Sequence, residues 1–273
     1  MSAEQETWSV FLRDPRLVAD PRLAAVLARS RGLTLVDVRR DLGECWGVIE
    51  ENASEERARA LVADLAAQEI AAILFPDREV LRFPAAVPVR GARRTEKALA
   101  LRLAEGDEDL ASGSWVSVAW TDLVYCAWAR VAETEEVDEF RLSPFGRDAS
   151  VWDAREVAEY SAGVMPTREK RARQIRRDYL DFLAILPPRH FRIDPFHFAY
   201  ASLLGKLAPT AYQNFIALVQ LIRAYAGNLV ADRSIAQLLD GDPHTTLSLP
   251  SLRAYDLYLL WNIQMAFKGP RDA

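Results

Sequence analysis

Without a bound cofactor, protein chemistry starts from imidazoles, thiols, hydroxyls and paired carboxylates, and this chain carries few of them at useful spacing. It has three histidines, and two of them, His190 and His197, flank Asp194 in one short stretch. Such a trio invites a metal ion. Zinc ligands on a helix recur at i, i+4, and a closed site takes four ligands. His190 and His197 stand at i, i+7 across Pro195, with no cysteine nearby. The expectation is no metal and no cofactor, with two partly buried imidazoles beside Phe191, Phe196 and Phe198. His190, Asp194 and His197 remain the candidates for a metal, or for the polar groups of a C-terminal ligand pocket or enzyme site.

No nucleophile stands out. Ser112-Gly-Ser114 lacks the surrounding Gly-x-Ser-x-Gly of a serine elbow. Cys45 and Cys126 sit in apolar surroundings without an adjacent base, as inert thiols do, and in a reducing compartment they stay unpaired. Neither Gly-x-Gly-x-x-Gly nor a phosphate loop occurs. Two charge runs remain. Glu133, Glu135, Glu136, Asp138 and Glu139 resist joint burial and read as a solvated loop or hairpin tip. Arg168, Lys170, Arg171, Arg173, Arg176 and Arg177 form the opposite run, in which 170, 173 and 177 would share a helical face. That run could attract nucleic-acid phosphates or anionic lipid. No aromatic side chain interleaves it to stack bases, so a solvated face pairing with Asp178, Asp181 or the acidic run is the expectation.

The bulk numbers point the same way. A chain of 273 residues with net charge −5, half of it apolar and 27% charged, is an ordinary globular composition sized for two domains. A negative total charge speaks against nucleic acid as the partner. No run of about 18 apolar residues could span a membrane. The polar start, Met1 to Glu6, lacks the basic and apolar regions of a secretion signal. Arginine far outnumbers lysine and alanine is abundant, the chain-wide bias of a high-GC bacterial genome. A cytoplasmic bacterial protein is expected.

The elements that must hold these residues begin with residues 7–76. Trp8 to Leu12 reads as a buried strand. Asp20-Pro21 supplies an N-cap and a first-turn proline, Leu23, Val26 and Leu27 line one face, and Gly32 stops the helix. Thr34 with Asp37 opens a second helix striped by Leu35, Val38 and Leu42. Trp46 to Ile49 is a strand. Ser54-Glu-Glu-Arg57 starts a helix with acidic residues at its positive end, and Ile70 to Phe75 is a third strand. The order is β-α-α-β-α-β.

The run Gly32-Leu-Thr-Leu-Val-Asp-Val-Arg39, followed by Ser54-Glu-Glu-Arg-Ala58, resembles the C-terminal domain of the bacterial ribosomal stalk protein. The Clp-protease adaptor fold is similar, including Trp8 to Leu12 leading into a polar turn. The resemblance implies a protein-docking fold. In the stalk family, basic residues of the first two helices recruit partners. Arg39 matches one such position, Ala25 or Ala28 stands at the first-helix position, and Val36 replaces a typical lysine. Of the adaptor's Asn-Asp-Asp turn only Asp14 matches, in Arg13-Asp14-Pro15.

Residues 78–227 read as a β-rich domain. Glu79 to Phe83 and Val87 to Arg90 are edge-like strands interrupted by prolines. Lys97 to Leu103 suits strand or helix, Gly106 to Gly113 is a loop, and Trp115 to Trp120 and Leu123 to Val131 are strands about a turn at Thr121-Asp122. Large residues on both parities of Leu123 to Val131 predict cover on both faces. Phe140 to Leu142 adds another strand, and a connector with a short helix over Trp152 to Tyr160 follows. Tyr179 to Ile185 and His190 to Ile193 suit a strand pair about Pro187-Pro188, although the first half could extend a helix from Thr167. A helix over 210–226 closes the domain, and 228–268 is a helical extension. This order, with the turn Val118-Ala-Trp-Thr-Asp-Leu123, resembles a pleckstrin-homology-like half-barrel.

The reading as a whole is α+β: a small β-α-α-β-α-β sandwich, then a mostly antiparallel β half-barrel with C-terminal helices. Its expected function is non-catalytic, an interaction or adaptor module that binds another protein through Arg22, Arg29, Arg39 and Arg40, which fall outside the apolar stripes of their helices. A groove beside Trp120 and Trp128 would be a site only where their faces stay uncovered.

Overall fold

The computed structural model describes residues 6–104, 114–141, 167–241 and 247–269, with side chains described throughout these ranges except at 136–141 and 167–171. The fold is α+β. In the first module β1 (Thr7–Leu12) is the centre of a three-stranded sheet, flanked by β2 (Val48–Ser54) and β3 (Ala72–Pro76), both antiparallel to it. The helices are α1 (Pro21–Arg31), α2 (Leu35–Gly43) and α3 (Glu55–Ala66), so the order read from the sequence is the order found.

Their ends are set by short polar side chains. The Asp20 carboxylate accepts from the Arg22 N–H at 2.8 Å, ahead of which Pro21 has no N–H to leave unsatisfied. Gly32 ends α1 in the left-handed region at φ +65°. Thr34 Oγ1 accepts from the Asp37 N–H and Ser54 Oγ from the Arg57 N–H. The apolar faces of the three helices meet Val10, Leu12 and Ile49 on one side of the sheet. Successive side chains of a strand point to opposite faces, so Phe11 turns the other way and packs with Val48, Phe75 and Val80.

The larger sheet has eight strands: β4 (Val87–Arg94), β5 (Ala98–Leu103), β6 (Trp115–Ala119), β7 (Leu123–Arg141), β8 (Thr167–Ile185), β9 (Pro188–Ile193), β10 (Val230–Ala231) and β11 (Ser248–Leu249). Its order is β10-β7-β8-β9-β4-β5-β6, with β11 also on β7, and it does not close into a barrel. β4–β5, β5–β6 and β8–β9 pair antiparallel, while β4–β9, β7–β10 and β7–β11 pair parallel. The helices are α4 (Ala201–Leu204), α5 (Ala211–Tyr225), α6 (Arg233–Asp240) and α7 (Leu252–Lys268).

β7 shows why the sheet is covered twice. Cys126 and Trp128 pack with Leu180, Phe182 and the α5 residues Phe215, Leu218, Val219 and Ile222. Tyr125, Ala127, Ala129 and Val131 pack with Tyr179, Leu183 and the α7 residues Tyr255, Tyr258, Leu259 and Ile263. The two parities of Leu123 to Val131 therefore serve two cores, as large residues on both of them require. By contacts the chain forms two compact units, Met1–Val131 with Arg177–Ala273, and Ala132–Arg176. β7 and β8 contribute residues to both.

Several segments differ from the sequence reading. Glu79 to Phe83 is not a strand. A 3-10 turn spans Asp77–Glu79, and the fully buried Gln264 of α7 takes the backbone instead: the Leu81 N–H donates to its Oε1 at 2.9 Å, and its amide donates to the Glu79 carbonyl. Lys97 to Leu103 falls to strand. The acidic run lies within β7 rather than in a loop, and Phe140-Arg141 continues that strand instead of adding a new one. The basic run lies in β8, so the helical face joining 170, 173 and 177 does not form. The strand–turn–strand over 179–193 is as read, and the Leu186–Pro187 peptide in its turn is cis. The loop at 106–113 and the helix over Trp152 to Tyr160 lie outside the described residues.

α7 also holds the first module. Its Trp261, with Leu257, Leu260 and Met265, packs on the Phe11 side of the small sheet. Gly47, at φ +76°, lies against that indole, and a Cβ built there would stand 2.8 Å from Trp261 Cδ1. A side chain at Gly47 must both adopt left-handed backbone and displace the indole. Gly47→Ala is expected to cost about 1–3 kcal/mol, measured by chemical denaturation. A loss under half a kcal/mol would show that the contact yields freely.

Candidate functional site

Two places in the described structure gather charged or polar groups that could serve a ligand or partner. The first is the α1–α2 corner. Leu33, Leu35 and Val36 follow directly on the Gly32 turn and are 44%, 47% and 77% exposed. Leu35, expected in the stripe of the second helix, is therefore not part of it: the buried residues are Leu23, Ala24, Val26 and Leu27 on α1 and Val38 and Leu42 on α2. The four arginines of α1 and α2 expected to meet a partner are not equivalent, and Arg22 stands at the far, N-terminal end of α1. Arg22 forks onto Asp20 (Nη2 to Oδ2 2.8 Å) and reaches the Gln68 carbonyl at 3.2 Å. That guanidinium holds the Asp20 carboxyl below the usual carboxylate range. Arg40 lies near Asp37 and Asp41, at 3.6 and 3.9 Å. Arg29 and Arg39 are exposed and make no ion pair or side-chain hydrogen bond among the described residues.

Arg39 also lines a mostly apolar cleft of about 390 Å³ with Pro21, Leu42, Trp46, Leu249 and Pro250. An arginine with no counter-charge among the described residues thus shares the wall of a mostly apolar hollow with the Arg22-paired Asp20. That arrangement suits a carboxylate next to an apolar side chain, since the arginine fork accepts a carboxylate in two bonds.

The second place is a charged array between the large sheet and α7. In the β8–β9 register Asp181 lies opposite Arg192 and Leu183 opposite His190, on the face that α7 covers. Asp181 is wholly buried. Its carboxylate meets His190 Nε2 at 2.5 Å and accepts from Arg192 Nε at 3.0 Å and Nη2 at 2.7 Å. Arg192 Nη2 also reaches Asp256 at 2.6 Å, and its guanidinium lies over the rings of Tyr179 and Tyr255. Burial alone would raise the Asp181 pKa. The Arg192 charge and the His190 bond outweigh it, and the carboxyl sits below its ordinary value. A neighbouring cluster is structural: Tyr125 and Tyr258 both donate to Asp232, which caps α6 through the Ser234 N–H. Burial pushes both phenols up.

His190, Asp194 and His197 do not form one site. Asp181 holds His190, while the exposed His197 turns its Nδ1 to Asp194 at 2.6 Å. No group of three metal-ligating side chains occurs among the described residues. The partner that sequence inspection missed is Asp181, which comes from the neighbouring strand. Its signal was a lone acid in the apolar run Tyr179 to Ile185.

Trp120 and Trp128 are both buried in the α5-side core, so no uncovered groove lies between them. Cys45 and Cys126 are unpaired thiols whose pKa values burial pushes up, that of Cys45 to about 12. Arg173 and Arg176 are exposed on β8, and Arg177 lies 3.9 Å from Asp194. Arg168, Lys170 and Arg171 have side chains outside the described ones. The strand neighbouring β8 is β7, which carries the acidic run. No helix among the described residues is long and apolar enough to cross a membrane. Comparison of the chain with models of known families, with curated proteins and with solved structures finds no match.

Proposed function

We propose that this protein is an interaction module that binds an acidic, amphipathic segment of another protein at the α1–α2 corner. One observation carries the reading: Arg29 and Arg39 are exposed and have no counter-charge among the described residues, and Leu33, Leu35 and Val36 close to them in the chain are exposed as well. Contiguous exposed apolar surface rimmed by charge is the usual mark of a protein-binding face. Unneutralised arginines select carboxylates and steer them in. The apolar cleft beside Arg39 takes a side chain next to that carboxylate. Arg22 and Arg40, already engaged with Asp20, Asp37 and Asp41, add little.

The test uses a fluorescein-labelled synthetic peptide in which leucines alternate with pairs of glutamates, titrated onto the full chain by anisotropy. Arg29→Glu with Arg39→Glu is expected to weaken binding by at least about tenfold, with affinity falling steeply as salt rises. Val36→Asp should do the same, and all variants should melt as the parent does. Arg22→Glu with Arg40→Glu should weaken binding less. Equal binding by the Arg29/Arg39 variant would remove the corner from consideration.

A further inference from the structure

We infer that the cleft walled by His190 beneath α7 is a binding site for a small neutral molecule with an apolar body and a single O–H or N–H donor. The cleft holds about 280 Å³, room for one substituted ring, and its walls include Phe83, Leu183, Leu260 and Ile263. His190 is the nearly buried polar group in that wall.

The proton arrangement follows from its partner. An ionised carboxylate only accepts, so the His190 Nε2 that meets Asp181 must carry a hydrogen. In the neutral imidazole the second nitrogen, Nδ1, is then an acceptor. Nδ1 has no hydrogen-bond partner among the described residues. Arg192 also bonds both oxygens of Asp181, so the carboxylate and the ring it orients are fixed before any ligand arrives. The result is one oriented imidazole with a spare acceptor in a wall that joins apolar side chains to the paired charges of Glu51, Arg82 and Asp256, and a few placed polar groups among apolar ones are the ordinary make-up of a small-molecule site.

The charges around the cleft decide what is refused. Arg192 is shared between Asp181 and Asp256, and Arg82 pairs with Glu51 at 3.0 Å. No cation among the lining residues is left over for an anionic ligand. No serine, threonine or cysteine lines the cleft, so the geometry points to binding and not to covalent catalysis. His197 takes no part, since it lies outside the lining.

The probe is p-cresol, with toluene and benzoate as its comparators, titrated into the full-length protein at alkaline pH. Binding is followed by the ring resonances of isotope-labelled histidine, with His190 assigned by substitution. Saturable movement of the His190 signal by p-cresol is expected, with toluene weaker by about tenfold for want of the donor and benzoate weaker again. Leu260→Trp, which fills the hollow from its half-buried side, should abolish the p-cresol response, with a cooperative melt showing that the variant is folded. Should that variant misfold, the p-cresol-to-toluene ratio on the parent protein still decides. Absence of a saturable shift at the solubility limit of p-cresol would overturn the assignment. So would toluene binding as tightly, or a well-folded Leu260→Trp protein that responds like the parent. Each result is independent of the peptide titration at the α1–α2 corner.

Discussion

Arg192→Met is expected to destabilise the protein by about 3–5 kcal/mol, because it strands a buried carboxylate. That corresponds to a fall of roughly 6–20 °C in Tm for a chain of this size. Asp181 is wholly buried and accepts three contacts within 3.0 Å from the Arg192 guanidinium. With methionine in place, His190 alone faces the charge, and Asp256 loses its partner as well. Replacing both ends, as Asp181→Leu with Arg192→Met, should recover much of the loss, since a well-packed apolar pair removes the desolvation cost along with the attraction. The pH dependence has a definite sign. The folded-state pKa of Asp181 lies below its unfolded value. Its contribution is therefore full above the unfolded carboxylate range, near pH 4, and is lost as pH falls through the lower folded value. In Arg192→Met the loss should begin at a higher pH. Guanidinium unfolding of the three proteins across pH 3–8 reads all of this, and a single-variant loss under 1 kcal/mol would contradict it.

Trp261→Ala should cost about 3 kcal/mol and loosen the first module from the rest. Trp261 Nε1 donates to the Leu12 carbonyl at 2.8 Å, and the indole lies among Phe11, Val48 and Phe75 of the small sheet. Leu12 in turn donates its N–H to the Gly47 carbonyl at 2.7 Å, so one residue ties strand, turn and helix together. Removing the indole opens a hollow and leaves the carbonyl of the fully buried Leu12 without that donor. Trp261→Phe keeps most of the volume and should cost about 1 kcal/mol for the lost hydrogen bond. Hydrogen exchange supplies the readout: in Trp261→Ala, amides of β1 should open at lower free energy than those of β8. Equal slowing or equal loss in both strands would show that the modules do not separate at this joint.

How much of this was legible in the sequence follows from the range of the forces involved. α1, α2 and α3 were readable because their caps, Asp20, Thr34 and Ser54, act within four residues. The double cover of β7 was readable because Tyr125 and Trp128 advertise both faces. The charged start of β8 was not, because Thr167 to Arg177 has no apolar alternation, and its neighbour β7 decides its conformation. Glu79 to Phe83 looked like a strand because it has strand residues. Nothing local reveals that Gln264, far along the chain, will hold its backbone. The array at His190 was missed for a related reason. Along the chain the nearest acid and the nearest imidazole to His190 are Asp194 and His197, whereas the hairpin places Asp181 beside it from across the turn.

The position of β9 bears on the order in which the molecule can assemble. β9 lies between β8 and β4, where Val87 meets Phe191 in parallel register. During synthesis the β4–β5–β6 meander therefore emerges with one side of β4 bare, and stays so until the ribosome has delivered the chain past Ile193. The strands of the first module, by contrast, find all their neighbours by Pro76. Contacts so far apart in sequence slow folding, and a nascent chain with an unpaired inner strand is exposed to wrong partners for that whole interval.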